Sequence, residues 1–376
     1  MALTVDCDIP AGNIVVENIE GDTVYARPDL RDTEGHWFYW CFRARGAGGR
    51  TLRCRLTSPN TLTEMGPAVS TDRGWTWSWA GPEAMSGWSF EYCVPAEADD
   101  VRFSMGMPYT DRNLAAFLER HGDTPHLESG ELCRSRKGRP VRRLNFGCLD
   151  AEPAHRVLVT ARHHCCEMMA GYALEGLVLG VLADDQVGRW MRRNVEFLAV
   201  PMVDTDGVEE GDQGKNRRPH DHGRDYGERS IYPETGAIRA LVPQWSAGRL
   251  RVGLDLHCPW IRGEWNDIVY QVGARAEEAW REQQRFGNML EQENAGPLPY
   301  RVADNLPFGE AWNTGSNYKE GRPFRPWLAE QPDVRLATSF EIPYAVAGGV
   351  EVNQQTARAF GRNLARALHR YLIETA

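Results

Sequence analysis

From residue 150 onward, short apolar runs alternate with longer segments of helical periodicity. The apolar runs include HRVLVTA, EFLAVPMV, RVGLDLH and RLATSFEIP. The segments between and after them, such as MMAGYALEGLVLGVL and TARAFGRNLARALHRYLIE, repeat apolar residues at the spacing of a helix face. Strands joined by helices form mostly parallel sheets, because a parallel connection needs a long crossover. The pattern therefore predicts an α/β domain with a mixed, largely parallel sheet and flanking helices.

The first hundred residues have a different character. Aromatic and β-branched runs, among them HWFYWCFRA and WTWSWAG, are separated by Gly, Pro, Asn and Asp. Such runs are typical of antiparallel β-structure. Trp75, Trp77 and Trp79 alternate, which would place them on one face of a strand and favours core packing over a sugar-binding surface. We predict an all-β sandwich domain over residues 1–110 and the α/β domain over residues 111–376.

The charge balance argues against two classes of partner. The chain has 43 Lys and Arg against 52 Asp and Glu, a formal net charge of -9. Nucleic acids and anionic membranes attract positive surfaces, so neither is an expected partner. The first residues show no basic leader followed by an apolar run, and the nine cysteines are scattered. We expect a cytoplasmic protein with reduced thiols, and its oligomeric state stays open.

Two metal-binding residue types follow the first apolar strand of the predicted α/β domain. His164 and Glu167 stand three positions apart in ARHHCCE, at the entrance to a predicted helix. His257 ends another apolar strand, RVGLDLH. Because the carboxyl ends of parallel strands meet at one edge of a sheet, we expect the three side chains to lie together. Two imidazoles and one carboxylate leave a position for water, as in a catalytic zinc site.

Two further carboxylates lie in apolar strands. Asp255 projects to the same side of its strand as His257, so it either accepts the second imidazole N–H or caps the strand end. Glu341 lies in RLATSFEIP, where a carboxylate needs a partner or a catalytic role. Beside a metal, Glu341 could take a proton from water and pass it to the leaving amine. Without a metal, a buried salt bridge would be the favoured interpretation.

A basic loop lies between these segments. It contains five cations, Lys215, Arg217, Arg218, Arg224 and Arg229, in an otherwise acidic chain. An exposed charge run is usually solvated, but arginine can bind a carboxylate through two hydrogen bonds. Next to a metal site, we expect this loop to bind an anionic part of the substrate.

Six segments, taken in order, resemble the zinc metallocarboxypeptidases: FSMGMPYT, ARHHCCE, VPMVDTDGV, the basic loop, DLHCP and FEIPYA. Within that family the chain is similar to the cytosolic carboxypeptidase branch, which has an added N-terminal β-sandwich. The resemblance implies a zinc carboxypeptidase-like sheet that binds one Zn²⁺ per chain. It implies that His164, Glu167 and His257 are the metal ligands and that Glu341 is the base that activates water.

The resemblance also implies roles for residues around the metal. Arg217 or Arg218 would polarise the scissile carbonyl, and Arg217 is preferred because it follows an asparagine, as in the family's G-N-x-R segment. Arg224, in DHGR, would bind the substrate's terminal carboxylate. Gly223 stands where the family has an asparagine, which weakens the expectation of strict α-carboxylate recognition. Tyr318 is the candidate for the family's mobile substrate-capping tyrosine.

Cysteines surround the predicted ligands. Cys165 and Cys166 replace the Pro-Gly that the family has between its first two ligands, and Cys258 follows the third ligand. Thiolates could compete for zinc or make the site redox-sensitive. Small buried thiols are the favoured explanation.

Three functions are compatible with these residues. The first is a zinc metallocarboxypeptidase that removes a C-terminal residue from a peptide, with a preference for acidic residues suggested by the basic loop. The second is a zinc deacylase or amidase that acts on an N-acyl amino acid or a specialised peptide conjugate. The third is a catalytically inactive binding protein, against which the retention of all three ligand types and of Glu341 argues.

Overall fold

Residues 4–104 form two five-stranded sheets in the computed structural model, which describes residues 2–318 and 320–375 of the chain. The sheets have the strand orders β1-β4-β10-β6-β7 and β2-β3-β5-β9-β8. The β3–β5 pair is parallel and the other pairs are antiparallel. The strand bounds are β1 (Thr4–Asp6), β2 (Val15–Glu20), β3 (Thr23–Arg27), β4 (Cys41–Arg45), β5 (Thr51–Leu56), β6 (Ala68–Ser70), β7 (Ser78–Trp79), β8 (Met85–Ser86), β9 (Ser89–Cys93) and β10 (Asp100–Ser104).

Aromatic side chains from both sheets pack together. The Trp40 ring stacks on Phe90 at a centroid distance of 6.0 Å, and Phe90 contacts Phe103 of the other sheet at 5.3 Å. All three side chains are buried. Large aromatic rings remove much apolar area from water, so these contacts hold the two sheets together.

The predicted strand through Trp75, Trp77 and Trp79 is mostly a turn. The Asp72 carboxylate accepts hydrogen bonds from the backbone N–H groups of Trp75 and Thr76, each at 3.0 Å. These local bonds replace the bonds that a strand ladder would supply. The strand β7 therefore covers two residues, Trp77 is buried, and Trp75 is exposed beneath a guanidinium group.

The rest of the described chain alternates helices with strands, as the sequence predicts. The helices are α1 (Asp111–His121), α2 (Met169–Leu182), α3 (Gln186–Asn194), α4 (Thr205–Glu210), α5 (Pro233–Ser246), α6 (Glu277–Glu293), α7 (Phe324–Ala329) and α8 (Gln354–Glu374). The strands are β11 (Leu127–Arg134), β12 (Pro140–Gly147), β13 (His155–Ala161), β14 (Val195–Val200), β15 (Leu250–His257), β16 (Tyr270–Gln271), β17 (Leu336–Glu341), β18 (Val346–Ala347) and β19 (Val350–Glu351).

Seven of these strands form one mixed sheet with the order β11-β12-β14-β13-β15-β17-β16. The four central strands, β14, β13, β15 and β17, are parallel to one another, and the outer strands pair antiparallel. The expected α/β architecture is confirmed. The carboxyl ends of β13, β15 and β17 lie side by side, which is where ligands collect in such sheets. The division of the chain at residue 110 stays a prediction.

Helices α2 and α8 meet through a reciprocal pair of glycines. A Cβ atom on Gly361 would lie 1.9 Å from the Ala173 carbonyl oxygen, and one on Gly176 would lie 2.0 Å from the Arg358 carbonyl oxygen. The two helix backbones therefore approach closely over the same face of the sheet. In the part of the chain that the structure describes, no helix is long and apolar enough to cross a membrane.

Gly361→Ala is expected to lower the free energy of unfolding by about 1–3 kcal/mol, because the new methyl group overpacks the contact between α2 and α8. Gly236→Ala in α5 is the matched control. Its methyl group would meet the Ser230 Cβ at an ordinary 3.7 Å, so helix propensity should stabilise the protein by up to about 1 kcal/mol. Chemical denaturation measures the free energy of unfolding of both variants. Equal denaturation midpoints for the two variants would contradict the close approach of α2 and α8.

Candidate metal centre and active site

The turn after β13 carries His164 and Glu167 in a fixed conformation. It starts at Arg162, whose φ of 61° is uncommon for a residue with a side chain and costs on the order of 1–3 kcal/mol. The buried Arg162 guanidinium donates hydrogen bonds to the carbonyl oxygens of Tyr109 at 2.8 Å and Cys165 at 2.9 Å. These bonds hold the turn at the carboxyl end of β13.

The structure brings the three predicted metal ligands together. The Nδ1 atoms of His164 and His257 lie 2.9 Å and 2.7 Å from the two carboxylate oxygens of Glu167. One ligand atom from each residue lies within 4.8 Å of the others. The Glu167 side chain is fully buried, so its charge is available to a cation without competition from bulk water.

Carboxylates face the outer nitrogens of both imidazoles. Asp255 Oδ2 lies 2.7 Å from His257 Nε2. This contact is one of the two roles expected for Asp255, the other being a strand-end cap. Asp221 Oδ1 lies 3.6 Å from His164 Nε2. Burial tends to raise the pKa of Asp255, but the neighbouring His163 and His257 lower it by more, so this carboxylate stays ionised. Such carboxylate–histidine pairs orient imidazoles towards a metal.

The environment of His257 suits a positive charge. Burial lowers the pKa of the His257 imidazole, but the carboxylates of Asp255 and Glu167 raise it by more, so the net pKa lies well above the ordinary value. The Nε2 atom faces Asp255 and the Nδ1 atom faces Glu167. The Nδ1 atom and the Glu167 carboxylate are thus placed to bind a divalent cation together. Two imidazole nitrogens and one carboxylate fit Zn²⁺.

A second group, His163, Asp255 and His257, also has metal-ligand spacing. The members of this second group already form hydrogen bonds with one another and with a tyrosine. His163 Nδ1 lies 2.8 Å from Asp255 Oδ1, and His163 Nε2 lies 2.8 Å from the Tyr226 hydroxyl. Both ring nitrogens of the buried His163 are therefore engaged, and this residue holds Asp255 in place.

Glu341 lies at the end of β17, directly opposite His257 in the parallel pairing of β15 and β17. It lines a cavity of about 350 Å³ together with His164 and His257. Within the described residues, the buried Oε2 atom of Glu341 has no hydrogen-bond partner. Burial is the main cause that raises the pKa of Glu341 to about 7, and the nearby Glu167 also raises it. A carboxylate with such a pKa can accept and return protons near neutrality.

Arg224 and Tyr318, the two predicted substrate-binding residues, line the same cavity. The Arg224 Nη2 atom donates to the side chain of Asn317 at 3.0 Å, and the Tyr318 hydroxyl donates to Asn313 at 2.8 Å. Gly223 packs against the metal site, since a Cβ there would lie 3.2 Å from His164 Nε2. A larger residue at this position would require its neighbours to move.

The structure does not bring Arg217 or Arg218 to the cavity. Three carboxylates bind the Arg217 guanidinium, Asp32 at 2.9 Å, Asp204 at 2.8 Å and Asp212 at 3.1 Å. The Arg218 side chain is 77% exposed and pairs with the exposed Glu34. The structure therefore does not place either arginine where it was expected, beside a scissile carbonyl. Arg217 joins the basic loop to the N-terminal segment instead.

Arg217→Met is expected to destabilise the protein by about 3–5 kcal/mol, because it leaves the buried Asp204 and the half-buried Asp32 and Asp212 without their cation. Arg218→Met should change the free energy of unfolding by no more than about 0.5 kcal/mol, since the side chain is mostly exposed. Chemical denaturation of the two variants is the measurement. If the two variants were equally stable and only Arg217→Met lost most of its activity, a role for Arg217 in the reaction would be supported instead.

Three residues without a predicted individual role also line the cavity: Lys215, Arg325 and Trp37. The sequence placed Lys215 in the basic loop but gave it no individual role. Arg325 lies about a hundred residues after that loop, in GRPFRPW. Trp37 belongs to the aromatic N-terminal region, and its ring contacts Trp260 at a centroid distance of 4.7 Å. No local pattern placed Arg325 or Trp37 at this site.

The cysteines beside the ligands are buried. Burial raises the pKa of Cys166 to about 12 and that of Cys165 and Cys258 well above the ordinary value. The Cys165 thiol donates a hydrogen bond to the Asp212 carbonyl oxygen at 2.9 Å. Protonated thiols are poor metal ligands and poor nucleophiles, so these contacts support the interpretation as packing residues.

Solved metallocarboxypeptidase structures share this architecture. A metallo-carboxypeptidase from Burkholderia cenocepacia matches with a TM-score of 0.79 and 21% identity, and the match covers 100% of each chain. A metallo-carboxypeptidase from Pseudomonas aeruginosa, in complex with (2-guanidinoethylmercapto)succinic acid, matches with a TM-score of 0.75 and 19% identity over 99% of this chain and 100% of that one. The chain therefore has the metallocarboxypeptidase fold.

Two curated relatives are cytosolic carboxypeptidases. Cytosolic carboxypeptidase 6 of Caenorhabditis elegans is 23% identical over 270 residues, which is 62% of this chain and 57% of the relative. Cytosolic carboxypeptidase 2 of Danio rerio is 27% identical over 182 residues, which is 45% of this chain and 25% of the relative. The matches thus span only part of both relatives, and no family model matches the chain. The predicted resemblance to the zinc metallocarboxypeptidases is confirmed.

Proposed function

We propose that the chain is a zinc-dependent carboxypeptidase that hydrolyses the C-terminal peptide bond of a peptide. One observation carries this proposal. The carboxyl ends of three neighbouring strands converge on one cavity, where two histidines and a buried carboxylate face an unpaired Glu341. Relatives in sequence and in structure bear the name carboxypeptidase.

Each residue of the site has a task in this reaction. Zinc held by His164, Glu167 and His257 would supply Lewis acidity, which acidifies water and polarises a carbonyl. Glu341 takes a proton on Oε2 from the water that attacks the carbonyl carbon. It returns that proton to the amine nitrogen when the C–N bond breaks. Asp255 orients His257 throughout.

Arg224 supplies the anchor for the substrate's terminal carboxylate. It lies in the same cavity as Glu341, and within the described residues it forms no ion pair. The hydrogen bond to Asn317 fixes one edge of the guanidinium group. A planar guanidinium can bind a carboxylate through two parallel hydrogen bonds, which would place the last peptide bond at a set distance from Arg224.

Arg325 supports a preference for acidic C-terminal residues. Its guanidinium donates hydrogen bonds to the carbonyl oxygens of Val272 and Gly273, and it has no carboxylate partner within the described residues. Burial lowers the pKa of Arg325, which shows that its charge is poorly solvated. A side-chain carboxylate of the substrate would compensate for that lost solvation.

We place this activity in the cytoplasm. The relatives in sequence are named cytosolic carboxypeptidases, and all nine cysteines are free thiols, as expected in a reducing compartment. Substrates would be peptides, and the number of subunits is left open.

Mass spectrometry of peptides incubated with the zinc-loaded protein tests the proposed function. The substrates are peptides that differ in their last residue, the same peptides with C-terminal carboxamides, and N-acyl amino acids. Loss of one residue from the free acids, and not from the carboxamides, is the expected result. Cleavage of N-acyl amino acids alone would assign a deacylase instead. No hydrolysis by a protein that contains one zinc ion per chain would overturn the enzyme assignment.

A further inference from the structure

Lys215 enters the active-site cavity because its loop packs tightly against the turn that carries the metal ligands. Gly214 has a φ of 73°, and a Cβ on it would lie 2.4 Å from the Cys165 backbone nitrogen. Glycine is therefore required for this approach. On the other side, the Thr33 hydroxyl donates to the Lys215 carbonyl oxygen at 2.5 Å. The loop is held on both sides and directs one cation inward.

The Lys215 ammonium lies beside the candidate metal ligand Glu167, in the cavity that Glu341 also lines. Its Nζ atom is 2.8 Å from Glu167 Oε1 and 5.7 Å from the centre of the Trp37 ring. The side chain is 21% exposed, and that exposed part faces the cavity it lines with Glu341. A cation in this position faces the cavity in which a substrate carbonyl would be attacked.

The other cations near the site already have partners or different positions. Arg217 is bound by three carboxylates outside the cavity, and Arg218 is exposed. Arg224 and Arg325 line the cavity but form no ion pair with Glu167 in the described part of the chain. Among the Lys and Arg residues that the structure describes, Lys215 is thus the one that forms an ion pair with a candidate metal ligand. A divalent ion held by Glu167 would replace the ammonium at this carboxylate, which would leave Nζ able to donate a hydrogen bond elsewhere.

We propose that Lys215 stabilises the oxyanion of the reaction, in place of the arginine expected from the sequence; this role rests on the proposed carboxypeptidase function. Water adds to the carbonyl carbon, its proton moves to Glu341, and the carbonyl π electrons move to oxygen. That oxygen accepts a hydrogen bond from Lys215 Nζ. When the C–N bond breaks, the C=O bond re-forms and the proton on Glu341 passes to the departing nitrogen.

The test compares wild type with Lys215→Met, Lys215→Arg and, as a control, Arg218→Met. Each zinc-loaded protein is assayed for kcat and KM on a peptide ending in glutamate. Calorimetry gives the affinity for two ligands. One is a phosphinic pseudopeptide, whose tetrahedral anion mimics the oxyanion. The other is free glutamate, which has carboxylates but no tetrahedral anion. Zinc content is measured for every variant. Lys215→Gln replaces Lys215→Met in the comparison if the latter does not fold.

Lys215→Met is expected to lower kcat by about 10²- to 10³-fold, the usual effect of removing an oxyanion donor, with KM nearly unchanged. Its affinity for the phosphinic peptide should fall by a similar factor, while glutamate binding and zinc content stay at the wild-type level. Lys215→Arg should recover part of the loss. Arg218→Met should match wild type in every assay.

Two results would overturn the role of Lys215. One is unchanged phosphinic-peptide affinity in Lys215→Met. The other is weaker zinc binding with full kcat once zinc is saturating, which would make Lys215 a partner of Glu167 alone. If wild type bound the phosphinic peptide through Lys215 but hydrolysed no peptide, the proposed function would fail while the oxyanion contact stood. Full kcat of Lys215→Met, the second of these results, would support the proposed function while it excludes the oxyanion contact.

Discussion

Glu341→Gln is expected to lower kcat by about 10²- to 10⁴-fold, the contribution of a positioned general base. The amide has nearly the same shape as the carboxylate but cannot accept the proton of the attacking water. Glu341 is not among the groups that hold the metal, so the variant should keep one zinc ion per chain. Steady-state kinetics on a glutamate-terminated peptide, with zinc quantitation of the same samples, measures both quantities.

Glu277→Gln is the matched control for that variant. Glu277 lies on α6, its side chain is 82% exposed, and its ion pair with Arg281 is also on the surface. The same chemical change there should leave kcat at the wild-type value. If Glu341→Gln kept full activity, the role of Glu341 as the base would be excluded, whatever the zinc content.

Arg325→Gln is expected to reduce kcat/KM for peptides ending in glutamate by at least about 30-fold. Removal of one partner from a buried charge pair costs about 2–5 kcal/mol, and each 1.4 kcal/mol is about tenfold. Peptides ending in glutamine should lose little, because they bring no side-chain carboxylate to the cavity. The measurement is the ratio of kcat/KM for the glutamate peptide to that for the glutamine peptide, obtained with both peptides in competition.

Arg275→Gln controls for the general loss of a positive charge near this region. Arg275 is exposed, and its guanidinium lies over the Phe308 ring at 5.7 Å. The selectivity of this variant should equal that of wild type. An equal loss of activity on glutamate and glutamine peptides in Arg325→Gln would assign Arg325 to the support of the fold, through its bonds to Val272 and Gly273.

The convergence of His164, Glu167 and His257 was predictable because each residue is placed by a pattern in its own segment. His164 and Glu167 are three residues apart, and His257 ends a strand whose apolar character is evident in the sequence. The rule that parallel strands end at one edge of a sheet then brings these segments together. The same reasoning put Asp255 on one face of β15 with His257, but it left open whether Asp255 contacts His257 or caps the strand end.

The roles of the basic loop were not predictable in the same way. Arg217 is neutralised by Asp32, which lies 185 positions earlier in the chain, and by Asp204 and Asp212. A sequence shows that the charge exists but not which distant carboxylate binds it. The direction of Lys215 into the cavity likewise depends on the backbone contact of Gly214 with the turn at Cys165.

Long-range packing also decides the aromatic part of the site. Trp37 belongs to the region predicted as a separate β-sandwich domain, yet it lines the cavity beside His164. Neighbouring Phe38 packs against Trp260 at a centroid distance of 4.9 Å. The alternation and turn signals predicted β-structure over this region, but they hold no information on which of its rings would meet residues two hundred positions later.

Anomalous diffraction at the zinc absorption edge, from crystals of the zinc-loaded protein, tests the proposed metal centre most directly. We expect one zinc ion per chain, held by His164, Glu167 and His257. Zinc bound instead by His163 and Asp255, the other group with ligand spacing, would contradict the proposed metal centre. The absence of stoichiometric zinc from the site would contradict it as well.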